Sequence, residues 1–412
     1  MAKDPTSMNT QVLPRPGRDW TQAQILKRLG GIRYGTLRVD FDGGGRELVN
    51  GVHPGPGGDI RIHRPFAFLR AVGLRGDLGF GESYMRGDWT SDDPAALLYL
   101  LSVNLEAMDE VPRRGAAVRL MARLQHALRR NSLRGSRRNI AAHYDLGNDF
   151  YARWLDRSMS YSSAIFDTSP DLFEAQQRKY ELLFKLIDPK PGEHILEIGC
   201  GWGGFAVYAA RHGVKVTGIT LSREQHDYAK ARVFSAGLDR QADIRLCDYR
   251  SVQGQYDHIV SIEMFEAVGQ RYWQQYFDIV ANALRPGGRA ALQVITIRED
   301  LFDTYVKEAG GFIQKYIFPG GMLPTERHLY GHAQSAGLDP LSIERYGEHY
   351  ADTLAEWAEA FSRQTDWLQA HGYDQRFRRM WEYYLAFCEA GFRDGRIDLV
   401  QVCVRKEGAC KG

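Results

Sequence analysis

Residues 194–210 read HILEIGCGWGGFAVYAA. A strand-like apolar run ends in four glycines, and a helix-like run follows. Gly199, Gly201 and Gly204 satisfy G-x-G-x-x-G, a spacing that can seat a dinucleotide between a strand and a helix. A dinucleotide site also places an Asp or Glu about 20 residues on, at the end of the second strand. Here VTGITLS puts Thr220 at that position, with no acid at the strand end. The acid instead precedes the glycines, as Glu197 in LEIGCG. The loop lies where open α/β sheets take their ligands, at the carboxyl end of the first strand, and its glycines allow close backbone approach.

Outward from this loop, short apolar strands alternate with helical segments. ILEIG, VKVTGIT, ADIRLC, HIVSI and RAALQVITI are the strands, and the alternation predicts an α/β fold with a doubly wound sheet. Helical insertions are expected at roughly 299–336 and 350–394, and two further strands, LSIERY and DLVQVCVRK, close the chain. Before the sheet, residues 20–112 read as a smaller α+β unit, with IRYGTLRVDF and DIRIHR alternating like strands. The expected division is a tail at 1–19, this unit, a linker helix at 113–140 and the sheet domain at 141–412.

The linker has a distinct character. Residues 113–138, RRGAAVRLMARLQHALRRNSLRGSRR, contain nine arginines and no acid. Val118, Met121, Leu124 and Leu128 recur at near-helical spacing, which predicts a basic amphipathic helix suited to an anionic membrane surface. A plain inter-domain helix with a solvated face is the competing reading. No apolar run approaches the roughly 18 residues of a membrane span, so association at the inner face of a membrane, from the cytoplasm, is the expectation. The five cysteines are scattered without C-x-x-C, and no cluster has metal-ligand spacing, so neither disulfides nor a metal are expected. A net charge of +2 gives no reason to expect a nucleic-acid partner. A homodimer is compatible with the sequence.

The pattern apolar-Glu-x-Gly-x-Gly resembles motif I of class I methyltransferases, whose Rossmann-like fold binds S-adenosylmethionine. This ligand offers an ammonium group, which a carboxylate such as Glu197 can hold. Asp248 in LCDYR stands like the acid that meets adenine in that fold. The same resemblance assigns Tyr161, Ser162, Gly199, Gly201, Thr220, Leu221 and Gln225 to the cofactor site, with the Gln225 amide near the ribose.

Six longer stretches go further: GFGESYMRGDW (79–89), HYDLGNDFYARWLDRSMSYSSAIF (143–166), MFEAVG (264–269), FIQKYIFPGGMLPT (312–325), HYADTLAEW (349–357) and FRRMWEYYLAFCEAGFRDGRIDLVQV (377–402). Together they resemble the cyclopropane-fatty-acid synthase family over roughly residues 75–406. Mycolic-acid cyclopropane synthases share the catalytic half of that pattern and lack the N-terminal unit. The resemblance implies that the double bond of a phospholipid acyl chain attacks the sulfonium methyl and that loss of a proton then closes a cyclopropane ring. It also implies a bicarbonate ion as base, held by Glu266, Tyr350 and the backbone N–H groups of Ser163 and Ile295. An alkene cannot be activated by deprotonation, so the site must position it and stabilise positive charge. Tyr151, Trp154, Tyr161, Phe166, Phe265, Tyr316, Phe318 and Tyr350 are the aromatic candidates, each weighed against ordinary core packing.

There are two departures from the family pattern. Ser163 stands where many members have Cys, and Gln293 where many have His. A Gln amide donates a hydrogen bond as a neutral imidazole does but cannot relay a proton. The alternative to ring closure is a lipid C-methyltransferase giving methylene- or methyl-branched (or furan-precursor) chains; a reading of another class is a non-catalytic lipid-binding protein of the same fold.

Overall fold

The computed structural model describes residues 19–105, 146–307 and 310–408. The expected tail, apart from Asp19, and the whole basic stretch 113–140 lie outside the described residues. The chain divides into two compact units, 1–118 with 375–383, and 119–374 with 384–412.

The first unit holds a four-stranded sheet with order β2-β1-β3-β4, where β1 is Tyr34–Phe41, β2 Arg46–Asn50, β3 His53–Ile62 and β4 Trp89–Thr90. β1 pairs antiparallel with β2 and parallel with β3. Its alternate residues Leu37, Val39 and Phe41 are buried, as the sequence alternation requires. Helices Trp20–Leu29, Pro65–Met85 and Pro94–Val103 belong to the same unit, as do residues 375–383 of helix Gln375–Arg393. Asn104 ends the last of these and is fully buried. Its Oδ1 accepts from the Arg33 and Tyr34 N–H groups, and its Nδ2 donates to Tyr34 and Leu100 carbonyls. One amide thus ties the helix to the start of β1.

The second unit is built on a seven-stranded sheet. Its strands are β5 (His194–Ile198), β6 (Lys215–Thr220), β7 (Ala242–Leu246), β8 (Tyr256–Ile262), β9 (Leu284–Ile297), β10 (Leu338–Arg345) and β11 (Ile397–Lys406). Their order is β10-β11-β9-β8-β5-β6-β7. β5 to β9 run parallel, and β11 enters antiparallel between β9 and β10. Apolar cores form on both faces, as a doubly wound sheet demands. Ile195 packs with Tyr180, Leu183 and Ile187 of helix Leu172–Ile187, whereas Leu196 and Ile198 pack with Phe265, Trp273 and Phe277. The strand order reverses at β5, with β6 on one side and β8 on the other. A crevice opens at such a switch point, at the carboxyl ends of the strands.

Candidate active site

The carboxyl ends of five parallel strands bring most of the expected site residues to one region. Glu197 is the penultimate residue of β5, Thr220 ends β6, and Asp248 follows β7. Glu266 lies in the turn Phe265–Ala267 after β8, while Gln293 and Ile295 lie near the carboxyl end of β9. Glycine geometry fits close approach by a ligand. Gly199 and Gly201 have φ of 84° and 50°, in the left-handed region, and a Cβ placed on Gly201 would meet nothing within 4 Å.

Glu197 alternates with Leu196 and so faces helix Leu172–Ile187. Its carboxylate is buried, and Oε2 has no hydrogen-bond partner. Burial pushes its pKa up to about 8, against the pull of the Lys179 ammonium. Lys179 is itself fully buried, and burial lowers its pKa to about 8 against the attraction of Glu263, Asp156 and Glu197. An orphaned buried carboxyl beside a glycine loop fits a cationic ligand, such as the ammonium of S-adenosylmethionine. On the far side, Thr220 Oγ1 donates to Gln225 Oε1 at 2.8 Å, in the first turn of helix Arg223–Ser235. Asp248 is buried but already paired, accepting from Arg250 Nε and Nη2, both at 2.8 Å. Any adenine contact there is shared with that ion pair. Leu221 is half-buried beside Thr220.

Tyr161, Ser162 and Ser163 lie in a segment with neither helix nor strand, so its backbone groups must be satisfied by side chains. Asp156 accepts from the Ser158 and Ser160 N–H groups. Gln176 Nε2 donates to the Ser162 carbonyl, and Lys179 Nζ to Ser162 Oγ at 2.6 Å. The Ala164 N–H donates to Thr353 Oγ1, and the Phe166 N–H to His349 Nδ1. Arg232 donates to the carbonyls of Ser158 and Trp202, which clamps this segment to the glycine loop. Tyr161 shares a hydrogen bond of 2.9 Å with Tyr384.

Ser163, Gln293, Tyr350 and Glu266 lie near one another, and a further carboxylate, Glu263, stands among them. The Ser163 N–H and Gln293 Nε2 each donate to Glu263 Oε1 at 2.8 Å, and the Tyr350 hydroxyl donates to Glu263 Oε2 at 2.6 Å. Two of the groups expected to hold bicarbonate, the Ser163 N–H and the Tyr350 hydroxyl, thus bond the Glu263 carboxylate instead. Glu263 has φ of 48°, one of three non-glycine residues in the left-handed region among the described residues. Burial raises its pKa, opposed by Tyr350, Lys179, Gln293 and Ser163. Glu266 Oε1 accepts from the Ile295 N–H, and Oε2 has no partner. Burial and the neighbouring Glu263 push Glu266 up to about 8. Gln401, at 1% exposure on β11, donates to Gln293 Oε1 at 2.9 Å and so fixes which way that amide points.

The aromatic candidates divide. Tyr161 packs against Tyr151, Trp154, Trp357 and Phe318, with ring centroids 5.4–6.3 Å apart. Tyr350 meets Trp357 and Phe392. Phe265 instead sits in the core with Trp273, Tyr276 and Phe277, so it is packing rather than site. Phe166 stacks on His349, and Tyr316 meets Phe312 with tilted rings. Among the described residues no group of His, Cys, Asp and Glu has metal-site geometry, and no helix is long and apolar enough to cross a membrane.

Comparison with known proteins gives a consistent result. The family model described as mycolic acid cyclopropane synthetase matches residues 131–402. The tuberculostearic acid methyltransferase of Mycobacterium tuberculosis is 42% identical over 357 residues, covering 84% of this chain and 83% of that protein. The cyclopropane-fatty-acyl-phospholipid synthase of Escherichia coli K12 is 38% identical over 365 residues, covering 86% and 88%. Among solved structures, a mycolic acid cyclopropane synthase complexed with SAH and CTAB matches with a TM-score of 0.62 at 30% identity, covering 66% of this chain and 98% of its own.

Proposed function

This chain belongs to the mycolic acid cyclopropane synthetase family, and from that premise we propose that it methylates the double bond of unsaturated acyl chains in membrane phospholipids. It is an S-adenosylmethionine-dependent methyltransferase of that family. The observation that carries the finer reading is the buried set of Glu263, Glu266, Tyr350 and Gln293, which adjoins the glycine-loop strand and the Tyr161 aromatic cluster. Glu197 and the glycine loop would hold the cofactor, which supplies an electrophilic methyl group. The Tyr161, Trp154 and Trp357 rings present π faces that favour positive charge on the acyl chain as it reacts. The buried acids take up the proton that the new methyl must lose.

Ring closure to a cyclopropane is the first reading of the product. A methylene-branched chain is the second. It is favoured by Gln293, which replaces the expected imidazole, and by likeness to a relative named as a methyltransferase. Bicarbonate as the base, expected from the family resemblance, requires that Glu263 yield the Ser163 N–H and the Tyr350 hydroxyl to the ion. We place the reaction at a membrane surface, with the arginines of 113–138 attracted to anionic lipid. Incubation with S-adenosylmethionine and vesicles of mono-unsaturated phospholipid, followed by mass spectrometry and NMR, tests the reading. Ring protons identify the first product and terminal-alkene protons the second; cofactor binding without any change in lipid refutes both.

A further inference from the structure

Glu263 offers what a bicarbonate ion offers: a flat group of single negative charge with two oxygens that accept hydrogen bonds. It already accepts from the Ser163 N–H, Gln293 Nε2 and the Tyr350 hydroxyl, at 2.6–2.8 Å. A free anion cannot share those three donors with it without setting two like charges in contact in a buried place. The backbone at Glu263 is in the left-handed region at φ 48°, a conformation that is unfavourable for a non-glycine residue. Such strain persists where surrounding structure over-determines it, and it clusters at functional sites. Here the Glu263 N–H also donates to the Gln293 carbonyl at 2.8 Å, continuing the β8–β9 ladder past the strand end and holding the residue in place.

We infer that Glu263 is the proton acceptor of the reaction and that the enzyme works without bicarbonate. This deepens the reading above and rests on it. The alkene π pair forms a carbon–carbon bond to the transferred methyl and displaces sulfur, which keeps the pair of the broken bond. Positive charge passes to the adjoining chain carbon. Glu263 takes one proton from the new methyl. The freed C–H pair either closes the three-membered ring or, after a 1,2-hydride shift, forms the methylene double bond. Glu263 ends as a neutral carboxyl, and no further reactant is consumed.

The arrangement also accounts for Gln293. A relay through imidazole is unnecessary when the acceptor is part of the chain, and a neutral amide suffices to aim it. Gln401 is then a positioning residue, acting through Gln293.

Two variants and two readouts test this. Glu263→Gln keeps the shape and removes the basicity. Glu263→Gly relieves the backbone strain and opens the cradle. The first readout is turnover on mono-unsaturated phospholipid vesicles in carbonate-depleted buffer, with and without added bicarbonate. The parent is expected to be indifferent to bicarbonate. Glu263→Gln is expected to lose about 100- to 10,000-fold in turnover, with cofactor affinity near the parent's, and Glu263→Gly to regain turnover when bicarbonate is added. The second readout is bicarbonate binding to the cofactor-free proteins, by calorimetry and thermal shift. Glu263→Gly is expected to bind the ion and the parent not to. A parent that needs bicarbonate, a folded Glu263→Gln that keeps its turnover, or equal bicarbonate binding by parent and Glu263→Gly overturns the inference. If no protein acts on any lipid, the proposed substrate is wrong, and the binding readout still decides the role of the cradle.

Discussion

Replacing Glu197 with Gln separates a cofactor-binding acid from a merely buried one. In the ligand-free protein the Glu197 pKa stands at about 8, because burial outweighs the Lys179 charge. At pH 7 about nine molecules in ten therefore carry the proton, and binding a cation must first expel it. That costs about 1.4 kcal/mol at pH 7 and twice as much at pH 6, at 1.36 kcal/mol per pH unit. A charge-assisted hydrogen bond to the ligand returns about 1.5–3 kcal/mol. At pH 7 the net loss in Glu197→Gln is thus only about 0–1.6 kcal/mol, up to about 15-fold in affinity, and near pH 6 it vanishes. The slope is the sharper signature. Parent affinity for S-adenosylmethionine should rise close to tenfold between pH 6 and 7, and Glu197→Gln should be flat. Calorimetry in two buffers of different ionisation enthalpy should show nearly one proton released on binding at pH 7, and none for the variant. A flat parent profile, or equal slopes, would refute the assignment.

The remaining expectations are briefer. Gly201→Val should lose cofactor binding in calorimetry because the side chain fills the approach to the loop; its Cβ meets no neighbour, but φ of 50° strains a β-branched residue, so a thermal melt must first show the variant folded. Glu197 and Glu266 both have folded pKa values near 8 against 4.5 for an ordinary Glu. Between those values the folded state binds protons that the unfolded chain releases, so the contribution to stability is full below about pH 4.5 and declines as pH rises towards 8. Thermal melts of the cofactor-free protein should show this fall, and Glu266→Gln should reduce its slope, by at most about 1.4 kcal/mol per pH unit. Gln401→Leu should lower kcat without altering cofactor affinity, by about three- to tenfold for a lost neutral hydrogen bond; an unchanged kcat would remove Gln401 from the account of Gln293. Replacing Arg119, Arg123, Arg129 and Arg130 with Gln should weaken sedimentation with anionic vesicles by up to about 4 kcal/mol, less salt screening; undiminished binding would place docking elsewhere.

The second unit was legible because its central strands β5, β6, β8, β9 and β11 are mostly buried on both faces and read as apolar runs, while β7 shows alternation at its start. All seven appear where ILEIG, VKVTGIT, ADIRLC, HIVSI, RAALQVITI, LSIERY and DLVQVCVRK predict them. The short strands RELVN and WT were not, since neither has a run long enough to show a period. At the site, residues fixed by strand ends were foreseeable: Glu197, Thr220, Asp248, Gln293. Glu263 was not, because it stands three residues from Glu266 in SIEMFEAVG, and nothing in that run shows that both acids turn inward. The left-handed backbone at Glu263 has no signature in the local sequence. Gln401 and Lys179 act across 108 and 17 residues of chain. A polar residue in the middle of the apolar strand LVQVCV was the one local sign of the former.

An acceptor that belongs to the polypeptide differs from a dissolved ion in one operational respect: it cannot leave with its proton. Glu263 must be emptied before the site can fire again. Of the groups bonded to its carboxyl, the Gln293 amide and the Ser163 N–H cannot pass a proton onward, and the Tyr350 hydroxyl can. If Tyr350 carries that proton away, discharge is a step of the cycle in its own right. If it is slower than methyl transfer, rapid mixing will show a first turnover that outruns all later ones, and heavy water will slow the later turnovers while sparing the first.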